Sequence, residues 1–479
     1  MKRTLIKILP LLLLAGCSSM KLGYDSQGKI SNSLVSDVNL TSNTDDVKFQ
    51  QISSLKNSVY GIFFRQGIYA GQNHVGNPDF KYQRWQVPLV IGAMIDANRN
   101  YLGQFHDFLP NLAANNIDYA NLLETVYRLN NWDTFPKETQ QKLCKQTQHC
   151  LYIDDRLWWV NAFLSYADGL ASSGSNAQEL DKMIDYAYKI YINGVSRDDY
   201  LNEIGTPGAV SLMWFSSNKQ SAEYKSTISN SLYVTAGARL AKLIKYRYGT
   251  DNSQYDYDLV LNNAQTVADG YFLKYYPKLN VNGLLLDGVT TGGNAQIHTG
   301  AEGTVINQVF TYNQGVVLPG MAILAQLTKK TKYLKFAKEL IISSSDFASQ
   351  HNEFFDDYGY LQANGWFADG DGIAFRLAYW QYLSLFLENY DLKSDPKFST
   401  MLNDFINRNA NQLVICPFNP TNYGWQANDL VSASPNHNNF PNLPNGKLFT
   451  AYPDGYSAPG IASALELLLL QQRIIYSDK

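Results

Sequence analysis

Six amphipathic helical units recur along this chain, and their number and spacing constrain the fold more than any other feature. They begin near Leu89, Leu164, Ala238, Ala322, Ser384 and Ala458, at intervals of about 60 to 85 residues. That interval suits one helical hairpin plus a loop. The fourth unit is the clearest: Leu324-Ala325-Gln326-Leu327-Thr328 leads through a polar turn to Tyr333-Leu334 and Ala337. Between the second and third units, Ser175 with Gln178 reads as a capping box. Leu180, Ile184, Ala187, Tyr188 and Tyr191 follow at helical spacing, and Gly194 reads as the stop. Strand signals are sparse, with Gly283 to Val289 as a short extended loop or hairpin. Six hairpins predict an all-α fold, a closed (α/α)6 barrel whose loops at one end form a cleft.

The length of 479 residues alone would suggest several domains. No linker interrupts the helical units, so residues 51–479 read as one domain. Before it, Lys2, Arg3 and Lys7 precede the apolar run Leu9 to Leu14, too short to span a bilayer. Residues 1–16 therefore read as a signal peptide. The sequence Leu14-Ala15-Gly16-Cys17 resembles a bacterial lipobox, which implies cleavage before Cys17 and its lipidation. Residues 17–50 are polar and form a tether. Ser18 and Ser19 after the Cys resemble the sorting pattern of the outer membrane. The expectation is a lipid-anchored protein of the bacterial cell envelope, held to the membrane through Cys17.

Net charge is −3, and no basic block interleaves with aromatics, which excludes a nucleic-acid footprint. No phosphate-cradling Gly loop is present. The six His do not cluster with Cys or carboxylates at ligand spacing, so no metal and no cofactor is expected. In an oxidising compartment Cys144 and Cys150 make a small-loop disulfide plausible, and two free thiols are the alternative. Charged residues make up 17% of the chain and aromatic residues 13%, with 33 Tyr. That balance fits either Tyr as amphipathic filler or an aromatic-lined groove for carbohydrate.

The run Tyr152-Ile153-Asp154-Asp155-Arg156-Leu157-Trp158-Trp159 carries the candidate chemistry. Sugar cleavage needs two carboxyl groups, one protonated and one ionised, beside flat aromatic surface. Taken alone, the pair is better read as an acidic first helical turn stabilised by the dipole, with Trp158 and Trp159 in the core. Ordered motifs downstream add to it: Lys225 with Ser229-Asn230, Leu286-Asp287-Gly288-Val289, Thr311-Tyr312-Asn313-Gln314-Gly315, and Asp371 followed by Phe375-Arg376.

In this order the motifs resemble glycoside hydrolase family 76, whose members include endo-α-1,6-mannanases, over roughly residues 80 to 475. The resemblance implies an (α/α)6 fold and retaining hydrolysis of α-mannan-type polysaccharide or oligosaccharide through a covalent intermediate. Asp154 would be the nucleophile and Asp155 the general acid/base. Asn230, Tyr312, Asn313, Asp371 and Arg376 would line the cleft, and Trp158, Trp159 and Phe375 would include sugar platforms. Each has a structural alternative. Asn313 and Gln314 could cap a helix, Arg376 could pair with Asp371, Trp159 could be core, and Asn230 could satisfy loop backbone. Phe375-Arg376-Leu377 stands where the family more often has Phe-Lys-Gly, a change that bears on substrate choice more than on reaction type. Two other functions compete: a transglycosylase on envelope glycan using the same intermediate, and a non-catalytic glycan-binding surface lipoprotein. A monomer is expected.

Overall fold

The computed structural model describes residues 85–102, 119–129, 152–174, 176–196, 201–203, 210–212, 224–290, 303–350, 371–410 and 458–477. Residues 1–16, expected as a signal peptide, residues 17–50 with Cys17, expected as a tether, and Cys144 and Cys150 lie outside the described residues. So does the side chain of Asp371.

Six helical segments form an inner ring: α1 (Gln86–Leu102), α3 (Ile153–Ser173), α5 (Thr227–Tyr248), the pair α7 (Thr311–Gly315) and α8 (Leu318–Thr328), α10 (Asp371–Leu387) and α12 (Ala458–Ser477). Each packs on the next in chain order, and α12 packs back on α1, which closes the ring. All six positions read from the sequence as helical units fall within these segments. Outer helices lie between them: α2 (Tyr119–Leu129), α4 (Ala177–Lys189), α6 (Tyr257–Val267), α9 (Thr331–Gln350) and α11 (Pro396–Ala410). Helices α4, α6, α9 and α11 lean on α3, α5, α8 and α12 respectively. The fold is the (α/α)6 barrel.

Position in the ring sets the burial pattern. In α5 every residue from Thr227 to Ala241 is buried, and in α12 Leu465 to Gln472 are buried without a break. An inner helix has neighbours on every side, so it shows no polar face. Outer α4 buries Leu180, Met183, Ile184 and Ala187, one stripe at i, i+3, i+4 and i+7. Close approach between inner segments relies on small residues. A Cβ added to Gly315 would stand 2.6 Å from Tyr379 Cα, so only glycine lets α7 lie against α10.

Two local expectations are corrected. The cap of α4 is Asn176, whose side chain accepts from Glu179 N at 3.2 Å, in place of Ser175. Gly194 does not end the element. The chain continues as a π-helical turn from Ile190 to Val195, and Gly194 is buried inside it. A second π-helical turn, Ala268–Tyr275, extends α6.

Short strands gather near the start of α5. β1 (Leu201–Glu203) pairs with β2 (Val210–Leu212), and β4 (Asn280–Val281) with β5 (Leu284–Leu285), both antiparallel. β3 (Tyr224–Ser226), β6 (Gly288–Thr290) and β7 (Val305–Ile306) form an antiparallel sheet, with Lys225 opposite Val289 and Val289 opposite Val305. The hairpin read at Gly283 to Val289 is therefore two strand segments belonging to different sheets.

Candidate active site

The N-terminal ends of five inner segments meet at one end of the ring. α5 joins the group through its first residue, where Thr227 N donates to Asp287 O (2.7 Å) and Thr227 Oγ1 to Leu286 O (2.5 Å). α7 joins because Asn313 Nδ2 donates to Asp287 Oδ1 at 3.2 Å. α1, α3, α7 and α10 are linked by ring contacts of Trp85 with Trp158, Tyr312 and Phe375.

Asp154 and Asp155 lie in the first turn of α3, both part-buried. The N-cap Tyr152 provides no side-chain cap. Instead the Asp154 carboxylate takes up a terminal N–H, with Asp155 N donating to Asp154 Oδ1 at 3.1 Å. The amides and dipole of a helix N-terminus stabilise negative charge there. Residues i and i+4 share a helix face. Asp154 and Trp158 thus share one, and Trp158 meets Trp85 of the mouth and Tyr382 of α10 (5.9 Å) across the ring. Asp155 shares the next face with Trp159. Trp159 is 1% exposed and leads to Phe163, whose ring meets Tyr127 and Tyr186 of the outer layer. Trp159 is core, the plainer of its two sequence readings. On a third face, Arg156 is buried, and its Nη1 donates to Gly194 O (2.9 Å), tying the acidic turn to the π-turn of α4.

The other expected residues divide. Tyr312 is part-buried at the mouth, its ring 3.9 Å from that of Phe375. Phe375 is 6% exposed, enclosed by Trp85, Phe310 and Tyr312. It is the centre of an aromatic cluster more than an open platform. Arg376 is largely buried beside it in sequence. Asn313 is fully buried, and its Oδ1 has no partner among the described residues. It braces Asp287 and does not cap a helix. The neighbouring Gln314 exchanges hydrogen bonds of 2.8 Å with both backbone groups of Leu285 and so anchors β5.

Asn230 is corrected outright. It has no exposed surface, its Oδ1 accepts from Leu212 N (2.7 Å), and its Nδ2 donates to Leu212 O (3.1 Å) and Ser226 O (2.8 Å). It is a backbone clip for β2 and does not line the cleft.

Two residues at this end were missed as site residues. Asp287 is a third carboxylate, 6% exposed, held by the Tyr224 hydroxyl and the Asn313 amide. Burial and the Asp287 charge push the Tyr224 hydroxyl well above its ordinary range, so it stays a donor. Trp85 precedes α1 and stands outside every motif; a lone Trp at the start of an apolar helix was its only signal. Lys225 is buried behind the sheet with Nζ on Ser211 O (2.7 Å), and burial lowers its pKa to about 7. Among the described residues no group of three His, Cys, Asp or Glu could hold a metal ion.

A closed ring of helical hairpins with adjacent carboxylates at an aromatic mouth defines a class, the (α/α)6 glycoside hydrolases. The model of glycosyl hydrolase family 76 matches residues 56–433, more than three quarters of the chain, and the chain belongs to that family. It is a glycoside hydrolase.

Solved structures resemble it over nearly the whole length. The GH76A α-1,6-mannanase of Salegentibacter sp. HEL1_6 superposes with a TM-score of 0.51 at 16% identity, covering 89% of this chain and 99% of that one. An inactive variant of the same enzyme, with two consecutive aspartates changed to alanine and α-1,6-mannotetrose bound, gives 0.52 at 17%, with coverage of 89% and 99%. The family 76 mannosidase Bt3792 of Bacteroides thetaiotaomicron gives 0.51 at 14%, with 90% and 99%. At these identities the likeness is one of fold. No curated protein matches the chain in sequence.

Proposed function

We propose that this enzyme hydrolyses α-1,6-mannosidic bonds with retention of configuration, Asp154 acting as nucleophile and Asp155 as general acid/base. One observation carries the reading: two consecutive carboxylates in the first turn of an inner helix, at the mouth where four aromatic side chains converge. The N–H that Asp155 donates to Asp154 favours negative charge on Asp154 and suits it to attack the anomeric carbon. Asp155, about 100° further round the helix, gives its proton to the departing glycosidic oxygen. Water then gives a proton back to Asp155 and its oxygen to the anomeric carbon, releasing Asp154. The Salegentibacter variant inactivated at two consecutive aspartates supports the pair, and its bound α-1,6-mannotetrose supports the substrate class.

The test incubates the full chain with α-1,6-mannooligosaccharides and follows products by mass and anomeric NMR. The first-formed product should be the α-anomer. Asp154→Asn and Asp155→Asn should each lower kcat by about a thousandfold or more. Early β-anomer would refute retention, products longer than the input would move the reading to transglycosylation, and turnover surviving both substitutions would remove the pair. We also place the enzyme at the bacterial envelope as a lipid-anchored monomer, from the lipobox-like run ending in Cys17. Cys17→Ala should move it from the membrane to the soluble fraction.

A further inference from the structure

α3 begins without the device that fixes many helix starts. Its N-cap, Tyr152, gives the first turn no side-chain hydrogen bond, and a helix terminus without a cap frays easily. Yet this turn carries Asp154 and Asp155, and a cleaving pair has to be held within about 0.5 Å of its working geometry. Arg156 stands in the same turn, where a cation opposes the helix dipole. It is favoured from the other side. Its Nη1 donates to Gly194 O (2.9 Å) near the end of the π-turn that extends α4, where carbonyls lack helical partners and the dipole favours a cation. Only 1% of Arg156 is exposed, so water does not compete for this bond.

The π-turn is itself anchored. Ser196 N closes it on Tyr191 O (2.9 Å), and Ser196 Oγ meets the Tyr233 hydroxyl of α5 (2.7 Å). The Tyr191 ring stacks on that of Tyr233 at 4.6 Å. Gly237 of α5 leaves room for the Tyr191 hydroxyl, which a Cβ there would meet at 2.2 Å. Arg156 thus ties the acidic turn to a point fixed on the next inner helix. Asp154, Asp155 and Arg156 follow one another round α3 in steps of about 100°. The Asp154 side is braced at the mouth by Trp158 and Trp85. Arg156 braces the far side of Asp155.

We propose that Arg156 is a positioning residue for bond cleavage: its clamp on the π-turn sets the angle at which Asp155 offers a proton to the departing oxygen, and so governs rate without touching the sugar. This rests on the reading of Asp154 and Asp155 as the cleaving pair.

The test uses the full chain and two substrates that differ in their need for a proton. α-1,6-Mannotetrose needs its departing oxygen protonated. A 2,4-dinitrophenyl α-glycoside of α-1,6-mannotriose releases an anion that is stable without one. Arg156→Met should lower kcat/KM on the tetrasaccharide about thirtyfold and on the dinitrophenyl substrate by no more than about threefold. Calorimetry with α-1,6-mannotetrose, on chains carrying Asp154→Asn and Asp155→Asn, should give a Kd within about twofold with and without Arg156→Met. Arg156→Lys keeps the charge and a donor on a long stem, and should restore part of the lost rate. Should Arg156→Met fail to melt cooperatively, Arg156→Gln removes the charge, keeps a polar side chain and takes its place.

Equal losses on the two substrates overturn the proposal, since they mean a general disturbance of the turn. An unchanged rate, a raised Kd, or a lysine variant no faster than the methionine one overturns it as well. Wild-type turnover that survives Asp154→Asn and Asp155→Asn removes the cleaving pair and this proposal with it. Turnover that those two changes abolish and Arg156→Met leaves intact removes the proposal alone.

Discussion

Asn230 shows how a residue can sit among catalytic motifs and serve only the scaffold. Removing its amide would take a hydrogen-bond partner from three buried backbone groups, Leu212 N, Leu212 O and Ser226 O. Asn230→Ala should therefore cost about 2–4 kcal/mol in urea denaturation, with KM for the oligosaccharide little changed in the fraction that folds. Lys225 gives a pH signature. Its folded pKa of about 7 lies below the ordinary lysine range, so between about 7 and 10 the unfolded chain holds a proton that the folded one lacks. Stability should rise with pH across that window, by an amount on the order of 3 kcal/mol, and Lys225→Met should flatten the rise. Above about pH 10 the trend reverses. The buried hydroxyls of Tyr191, Tyr224 and Tyr271 are pushed up by burial and ionise only on unfolding. Midpoint denaturation measured across pH checks both limbs. At this scale the sequence was legible where chemistry is local. Adjacent aspartates followed by two tryptophans announce themselves, and the i, i+4 rule separates Trp158 from Trp159. Trp85 and Asp287 were not legible as site residues, because they reach the mouth by folding from positions about 70 residues before and 130 residues after the acidic pair.

The inner and outer helices present opposite problems to a reader of sequence. Outer α4 declares itself through its stripe and its acidic first turn, and its boundaries were read to within a few residues. Inner α5 is buried all round, so hydrophobic periodicity has nothing to contrast. The units read near Leu164 and Ala238 begin about ten residues earlier, at Ile153 and Thr227. The π-helical turn at Ile190 to Val195 left no signal either. Its Gly194 resembled a stop until Arg156 was seen to reach its carbonyl. Contact between inner elements gives the prediction at this level. Gly315→Ala would drive a methyl into the backbone of α10 at Tyr379. Overpacking of this kind costs about 1–3 kcal/mol. Tyr312 lies one turn before Gly315 and Phe375 one turn before Tyr379, so the mouth should be displaced as well. Gly315→Ala should lower both the denaturation midpoint and kcat/KM, whereas Gly249→Ala at the far end of α5, where a Cβ meets nothing, should reduce stability through its positive φ (80°) and leave the kinetics intact.

The six-membered ring holds only if it closes. α12 packs on α10 and α11 and also on α1, and without it the flanks of α1 and α10 would lie bare. Removing residues 458–477 should abolish the single cooperative melting transition in calorimetry, in contrast to trimming a surface loop. The count of hairpins was readable from the sequence, since helical units recur at intervals that each suit one hairpin plus a loop. The closure was an inference from that count, because the partners that complete it are among the most distant in the sequence. That distance has a consequence for how the enzyme comes into being. About 370 residues separate the start of α1 from the start of α12. A ribosome working at about 5–20 residues per second needs on the order of half a minute to traverse them. Throughout that interval the first helix has one permanent neighbour missing. Its apolar flank is a standing invitation to chaperones and to other nascent copies of the chain, and the enzyme's yield in a cell depends on how that wait is managed.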